Sequence, residues 1–520
     1  MMESKWVWFI IIGVMLSVLE DSLTDACLKH ERVALLHLKP FFNHFNYLYK
    51  WDEEKGWDCC RWEGVECNTT TTTTTTGRLI RLSLNSTRGY NMGDWYLNAS
   101  LFHPFKGLNS LNLSYNSIAG FLENQGIEKL SRLDNLETLD LSYNSWRNNT
   151  LFHMGALSSL KTLNFRGNLV EGNLLHIQEA FSSVKTLSLQ GQLSDPDNEL
   201  VKVGNGNFLP YLSPKVQLKA ISGTFPVWSL ENNTKLQELV LKGNSFRGHL
   251  SFSSAPNFDL SLMDMSDNKL QGQIPSNNMF NFSTFEMLFL SKNAFEGNIP
   301  PCLNGMKDLS FLDLSNNHLS GRVPQELIMN SSFSILRLSN NNLCGNVVPA
   351  ILKANKLRNL YLDGNNFSGE MPNVDVSTFR FPTSLQEIDL SNNKLYGKLP
   401  RWIGNISYLE RLALSNNNFE GCIPMEFCNL NTLEFLQLSQ NNLSGSIPSC
   451  FNPPNIEHVH LHGNRLSGPL SFALYNSSSL VTLDLGGNNL TGTIPKWIGT
   501  LSSLSVLFLR ANHLQGRIPI

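Results

Sequence analysis

The chain has 520 residues, only 16% of them charged, and 40 Lys+Arg against 43 Asp+Glu leave a formal net charge of −3. So small and balanced a charge gives no field able to hold nucleic acid or an anionic membrane surface. With 41% hydrophobic residues, 36 Gly and 22 Pro, the sequence has material for a core and many turns, which excludes wholesale disorder.

At the N-terminus Lys5 precedes an apolar stretch from Trp6 to Leu19, followed by Glu20-Asp21-Ser22. As a helix that stretch spans about 21 Å, short of the ~30 Å hydrocarbon layer of a bilayer but suited to the core of a secretory signal. Residues 1–24 therefore read as a signal peptide, and the mature chain is expected in an oxidising, extracellular setting. No later segment is apolar enough to span a bilayer, so membrane attachment would need a segment outside this sequence. Residues 25–77 form a front module with four of the nine cysteines, Cys27, Cys59, Cys60 and Cys67. Bridging the adjacent Cys59 and Cys60 would close a strained ring. Either Cys27–Cys59 with Cys60–Cys67 or the crossed arrangement remains, and the first is preferred. The eight threonines Thr69 to Thr76 read as a flexible loop leading to the next segment.

From there a repeat organises the chain. Leu409 to Pro424 reads LERLALSNNNFEGCIP, and LEFLQLSQNNLSGSIP and LVTLDLGGNNLTGTIP follow from Leu433 and Leu480. The asparagine of LxxLxLxxN recurs at Asn244, Asn268, Asn293, Asn317, Asn341, Asn365, Asn393, Asn417, Asn441, Asn464, Asn488 and Asn512, and earlier at Asn116, Asn144 and Asn168. Copies without the asparagine at Leu79, Val184 and around Leu209 bring the expectation to about 18 turns. In each unit LxL sends two side chains inward from a short strand while their neighbours face out. The asparagine amide can satisfy backbone groups that the turn leaves unpaired, Gly permits the tight bend, and Ile-Pro returns in an extended conformation. Single turns cannot bury their own apolar edge, whereas stacked ones can. Parallel strands about 4.8 Å apart then give a curved sheet of roughly 85 Å.

The LxxLxLxxNxLxGxIP unit resembles the plant extracellular class of leucine-rich repeat. The front module, with an ERVALLHLK helix from Glu31 and then Trp57-Asp58-Cys59-Cys60-Arg61-Trp62, Gly64-Val65 and Cys67, resembles the N-terminal cap of that class. The resemblance implies an α/β repeat fold: a right-handed leucine-rich-repeat solenoid with a concave parallel β-sheet, convex 3-10 or irregular turns and a disulfide-stapled cap. With the export signal and the large number of repeats, the chain is most similar to kinase-less receptor-like proteins. That similarity implies ligand perception in plant defence or development, a peptide or protein ligand, and a co-receptor or adaptor kinase as partner. The location implied is extracellular, or the plasma membrane if the full-length receptor carries a transmembrane helix. The alternative is a secreted protein similar to polygalacturonase inhibitors, whose arrays are shorter.

Residues 78–189 form the first part of the solenoid and 236–520 the regular part. Between them, 190–235 are either degenerate repeats or an inserted loop, and decay is preferred where the rungs are lost around QGQLSDPDNELVKVGNGN. The sequence ends at Ile520, after the last Ile-Pro and with no closing cap, which reads as a receptor truncated at its C-terminus.

Outward positions lie six, four and two residues before each asparagine. The first column supplies Leu262, Met287, Phe311 and Ile335, and the second adds Phe289 and Tyr361, an apolar stripe that suits a peptide or partner footprint. Beside it Asp313, Arg337, Asp363, Glu387, Asp389 and Arg411 form a mixed-charge rim able to orient charged groups of a ligand. The run His458, Val459, His460, Leu461, His462 puts three imidazoles on the same side, next to Asp484. Spaced about 7 Å apart they suit a pH response, in the acidic wall space of the family's setting, better than a shared metal. No metal or cofactor is expected, and no catalytic motif such as GxSxG, HExxH or a phosphate loop is present, so no enzyme activity is expected. Thirteen N-x-Ser/Thr sequons become usable on export: Asn68, Asn85, Asn98, Asn112, Asn148, Asn232, Asn281, Asn330, Asn366, Asn405, Asn442, Asn476 and Asn489. Cys428 and Cys450 fall on consecutive return paths and can bridge there, leaving Cys302, Cys344 and Cys422 unassigned.

Overall fold

The computed structural model describes residues 27–44, 46–52, 58–68, 77–89, 92–123, 126–147, 154–169, 184–189, 221–224, 236–250, 260–276, 285–329, 332–354, 356–373, 384–470 and 472–519. The signal segment, Trp57, the threonine run and the copy around Leu209 lie outside them. Among the described residues no helix is long and apolar enough to cross a membrane. The chain divides into two units, residues 1–247 with 256–260 and residues 248–255 with 261–520.

In the first unit the helix Lys29–Phe42 buries Ala34, Leu35, Leu38 and Phe42, spaced for one helical face. Glu31, only 1% exposed, accepts a hydrogen bond from the backbone N–H of Leu79 at 3.1 Å, which ties the helix to the first strand. Burial raises the Glu31 pKa, and the Leu79 hydrogen bond opposes that only in part. The cysteines join as Cys27–Cys59 and Cys60–Cys67, with Cα separations of 5.8 and 5.5 Å, which selects the uncrossed arrangement. Strand Val65–Cys67 runs antiparallel to Leu79–Ser83, and from there parallel strands follow at Ser110–Asn112, Thr138–Asp140, Thr162–Asn164, Thr186–Ser188 and Glu238–Val240.

The last of these pairings joins the strands on either side of residues 190–235. Thr186–Ser188 is bonded directly to Glu238–Val240, and the copy around Leu209 lies outside the described residues. The repeat resumes at Ile221, whose N–H donates to Asn244 Oδ1, the bond that Leu270 makes to Asn293. In a regular repeat such as Leu414 to Phe419 the corresponding step is five residues, whereas Leu189 to Ile221 takes 32. That is 27 residues more than the regular step, over a stretch that lies outside the described residues.

Among the described residues the second unit holds eleven parallel strands from Leu262–Asp264 to Val506–Phe508, joined edge to edge. A second parallel sheet runs from Lys269–Gln273 to His513–Gln515. Leu412 and Leu414 from the first sheet and Phe419 from the second are fully buried between them, the alternation read from LxL. Along the turn between the sheets the asparagines form a ladder. Asn417 Nδ2 donates to the carbonyls of Leu390, Leu414 and Ser415 at 2.9 to 3.2 Å, and its Oδ1 accepts from Leu395 N–H at 3.0 Å. Each such amide closes its own turn and staples it to the preceding one. The Gly of the unit can take a left-handed conformation, and at Gly321, with φ 76°, a Cβ would also fall 2.1 Å from Asn298 Oδ1. Cys428 and Cys450 are bonded across neighbouring return paths, and Cys302, Cys344 and Cys422 are free thiols.

Candidate ligand-binding face

The open face of the first sheet in the second unit collects the side chains that alternate with the leucines. Leu262, Met287, Phe311 and Ile335 are successive cross-strand partners, all half-buried. Their column continues through Asn359, Glu387, Arg411, Phe435 and His458, and the next column contains Phe289, Asp313, Arg337, Tyr361, Asp389 and His460.

Contacts between these side chains form one unbroken chain. Phe289 packs on Phe311 with ring centroids 4.6 Å apart. The Arg337 guanidinium lies 5.5 Å from the Phe311 ring and 5.0 Å from that of Tyr361. Tyr361 donates its hydroxyl to Glu387 Oε2, and burial together with that carboxylate raises the phenol pKa. Glu387 lies 3.8 Å from Arg411, which sits 4.3 Å over Phe435. Phe435 meets His458 and His460 at 6.1 and 5.7 Å, and the two imidazoles stack 6.3 Å apart. This ribbon crosses eight strands, about 34 Å at the spacing of a sheet.

Not every charge assigned to the rim stands there. Asp313 is 7% exposed, and its Oδ1 accepts from the Ser315 N–H at 3.0 Å and from the Ser315 hydroxyl at 2.6 Å. Asp389 accepts from Ser391 N–H at 2.9 Å, with its pKa raised mainly by burial, and Asp363 accepts from the Ser339 hydroxyl. Asp140 and Asp264 make the same bonds to Ser142 and Ser266, so the Asp-x-Ser pair is a turn fastener of the repeat. Of the rim's charges only Asp313 is buried, and Asp363 and Asp389 are half-buried like Arg337 and Glu387 but each holds a serine. The histidines also differ from expectation. Asp484 is opposite His460 in register, yet its carboxylate approaches His462, with Nδ1 to Oδ2 2.9 Å but not aligned as a hydrogen bond. Burial lowers the His460 pKa, and His458 and His462 add to that against the opposing pull of Asp484.

Phe435, which joins Arg411 to the histidines, was not among the residues expected from sequence, although it lies six before Asn441 like the rest of its column. Of the sequons, Asn68, Asn85, Asn442, Asn476 and Asn489 are exposed, and Asn98, Asn112, Asn366 and Asn405 are half-buried. Asn112 lies on a strand of the first unit with its Oδ1 bonded to Ser114 N–H. Asn148, Asn232, Asn281 and Asn330 fall outside the described residues.

A disulfide-stapled helical cap followed by an asparagine-laddered parallel solenoid defines a leucine-rich-repeat protein. Family models named Leucine rich repeat match residues 308–328, 356–374, 383–443 and 454–514, and the Leucine rich repeat N-terminal domain matches 28–68. Among curated proteins the chain is similar to plant receptor-like proteins. It is 40% identical over 153 residues to Receptor-like protein 14 of Arabidopsis thaliana, a match covering 27% of this chain and 15% of that protein. It is 39% identical over 127 residues to Cuscuta receptor 1 of Solanum lycopersicum, covering 24% and 11%. The matched stretches are thus a small part of those relatives' lengths. Among solved structures it is similar to the Arabidopsis receptor kinase HAESA in complex with the peptide hormone IDA and the co-receptor SERK1, with a TM-score of 0.64 and 26% identity over 95% of this chain and 87% of that one. The GASSHO1/SCHENGEN3 ectodomain of Arabidopsis thaliana in complex with CASPARIAN STRIP INTEGRITY FACTOR 2 gives 0.58 and 26% over 94% and 62%.

Proposed function

We propose that this chain is a ligand-recognising part of a plant cell-surface receptor, which takes a peptide or protein segment on the open face between Leu262 and His462 and performs no reaction. Recognition is relayed by a separate kinase partner, in defence or development, from an extracellular or plasma-membrane position. The observation that carries this reading is the ribbon from Phe289 to His458, apolar at one end and charged at the other, held by mutual contacts before any guest arrives. Such preorganisation lowers the ordering cost of binding, and an apolar stripe on a solvated sheet favours a covering partner. Similarity to a receptor described with a peptide hormone and a co-receptor supports the same ligand class. The test is capture of extracellular peptides by the immobilised chain. Replacing both Phe289 and Phe311 by Ser is expected to abolish capture while circular dichroism is unchanged, and undiminished capture removes this face as the site.

A further inference from the structure

We infer that the guest of this face presents an acidic side chain to Arg337, two or three residues from an apolar side chain that lies over Phe289 and Phe311. The inference rests on the face being the ligand site and adds the chemistry of the ligand.

Arg337 differs from Arg411 in one respect. Arg411 has a carboxylate beside it, Glu387 at 3.8 Å. Among the described residues no carboxylate lies within ion-pair distance of Arg337, and no side-chain hydrogen bond uses its N–H groups. The carboxylates that the fold brings near it are committed elsewhere. Asp313 is its direct cross-strand neighbour, yet that carboxylate is buried on Ser315. Asp363, in the following turn, takes the Ser339 hydroxyl, and Glu387 is shared between Tyr361 and Arg411.

The Phe311 and Tyr361 rings fix the position of the guanidinium without consuming its five donors. A half-buried cation with fixed placement and open donors gains most from a planar, bidentate anion, and a carboxylate is the match. The apolar neighbours then define the spacing. Phe311 is one strand and Phe289 two strands from Arg337, about 5 and 10 Å, which an extended peptide covers in two or three residues.

The test uses the whole chain, immobilised, to select from a random library of peptides with amidated C-termini, so that side chains are the only carboxylates. Wild type is expected to enrich Asp or Glu two or three positions from an aromatic or aliphatic residue. Changing that acid to its amide should weaken binding about tenfold or more. With Arg337→Gln, acidic and amide peptides should bind equally, at the level of the amide peptide on wild type. Arg337→Lys keeps the charge without the fork and should retain only part of the preference, and gel filtration checks that both variants fold. An acidic preference that survives Arg337→Gln, or a wild-type selection without acids, overturns the inference. So does a free-acid library whose winners depend on the C-terminal carboxylate. If Phe289→Ser with Phe311→Ser abolishes capture while the acidic preference survives Arg337→Gln, the face stands and only its proposed chemistry fails. If neither change affects capture, the site itself is wrong.

Discussion

The asparagine of each turn does the work of a short piece of backbone. In Asn417 three carbonyls and one N–H are met by one buried amide, and no other common side chain offers two donors and an acceptor at that length. Asn417→Leu would keep the branched heavy-atom outline but take the partner from the buried Leu395 N–H and one of two donors from each of the three carbonyls. A loss of about 2–4 kcal/mol is expected, read as a lowered urea midpoint, and a loss below ~1 kcal/mol would show that water takes over the ladder. Single residues also show where sequence reading is strong and where it stops. Counting back from the asparagine put Phe289, Phe311, Arg337 and Tyr361 on one face, because strand alternation is geometric. The same count could not reveal that Asp313 turns away from that face, since its capture depends on Ser315 two residues later and on burial. Phe435 was legible by the count, and its role became visible only through its contacts with Arg411 and the histidines.

Between elements, docking of the cap helix on the first strand rests on a carboxyl group out of water. Glu31 lies on a helix face that the pattern of Ala34, Leu35 and Leu38 marks as buried, but nothing local in the sequence names Leu79 as its partner, 48 positions away. Its pKa is raised from 4.5 in the folded chain, so the native state holds its proton to higher pH than the unfolded one. The stability that this group contributes is therefore fully present below about pH 4.5 and is lost as pH rises through the folded value. Glu31→Gln keeps an acceptor for Leu79 and never ionises. Relative to wild type, the variant should be more stable at pH 7 than at pH 4.5, measured by thermal unfolding at both. A difference that does not change with pH would mean that Glu31 ionises in place without cost. The disulfide pattern around this helix was more accessible from sequence, because adjacency of Cys59 and Cys60 left only two arrangements and the structure takes the preferred one.

At the scale of the whole molecule, periodicity decides what is legible. Fifteen asparagines at near-constant spacing define rungs that the structure reproduces, since every unit meets the same neighbours and the same turn. Residues 190–220 break that rule, and sequence alone weighed them toward worn repeats. Pairing of Thr186–Ser188 with Glu238–Val240 and return of the chain at Ile221 motivate a test of the alternative, an inserted loop. The distinction has a consequence. If these residues are extra, replacing 190–220 by four residues copied from the next turn, Lys242-Gly243-Asn244-Ser245, should leave the unit folded and restore the missing rung asparagine. Loop-closure entropy for four residues in place of 31 favours the shortened chain by at most about 2 kcal/mol, so the unfolding midpoint should hold or rise. Decayed repeats would behave differently, because their removal would take apolar contacts from the core and leave both neighbouring rungs exposed. Urea unfolding of the shortened chain separates the two: a retained single transition at an equal or higher midpoint supports an insertion, and aggregation or a lost transition returns the segment to the core.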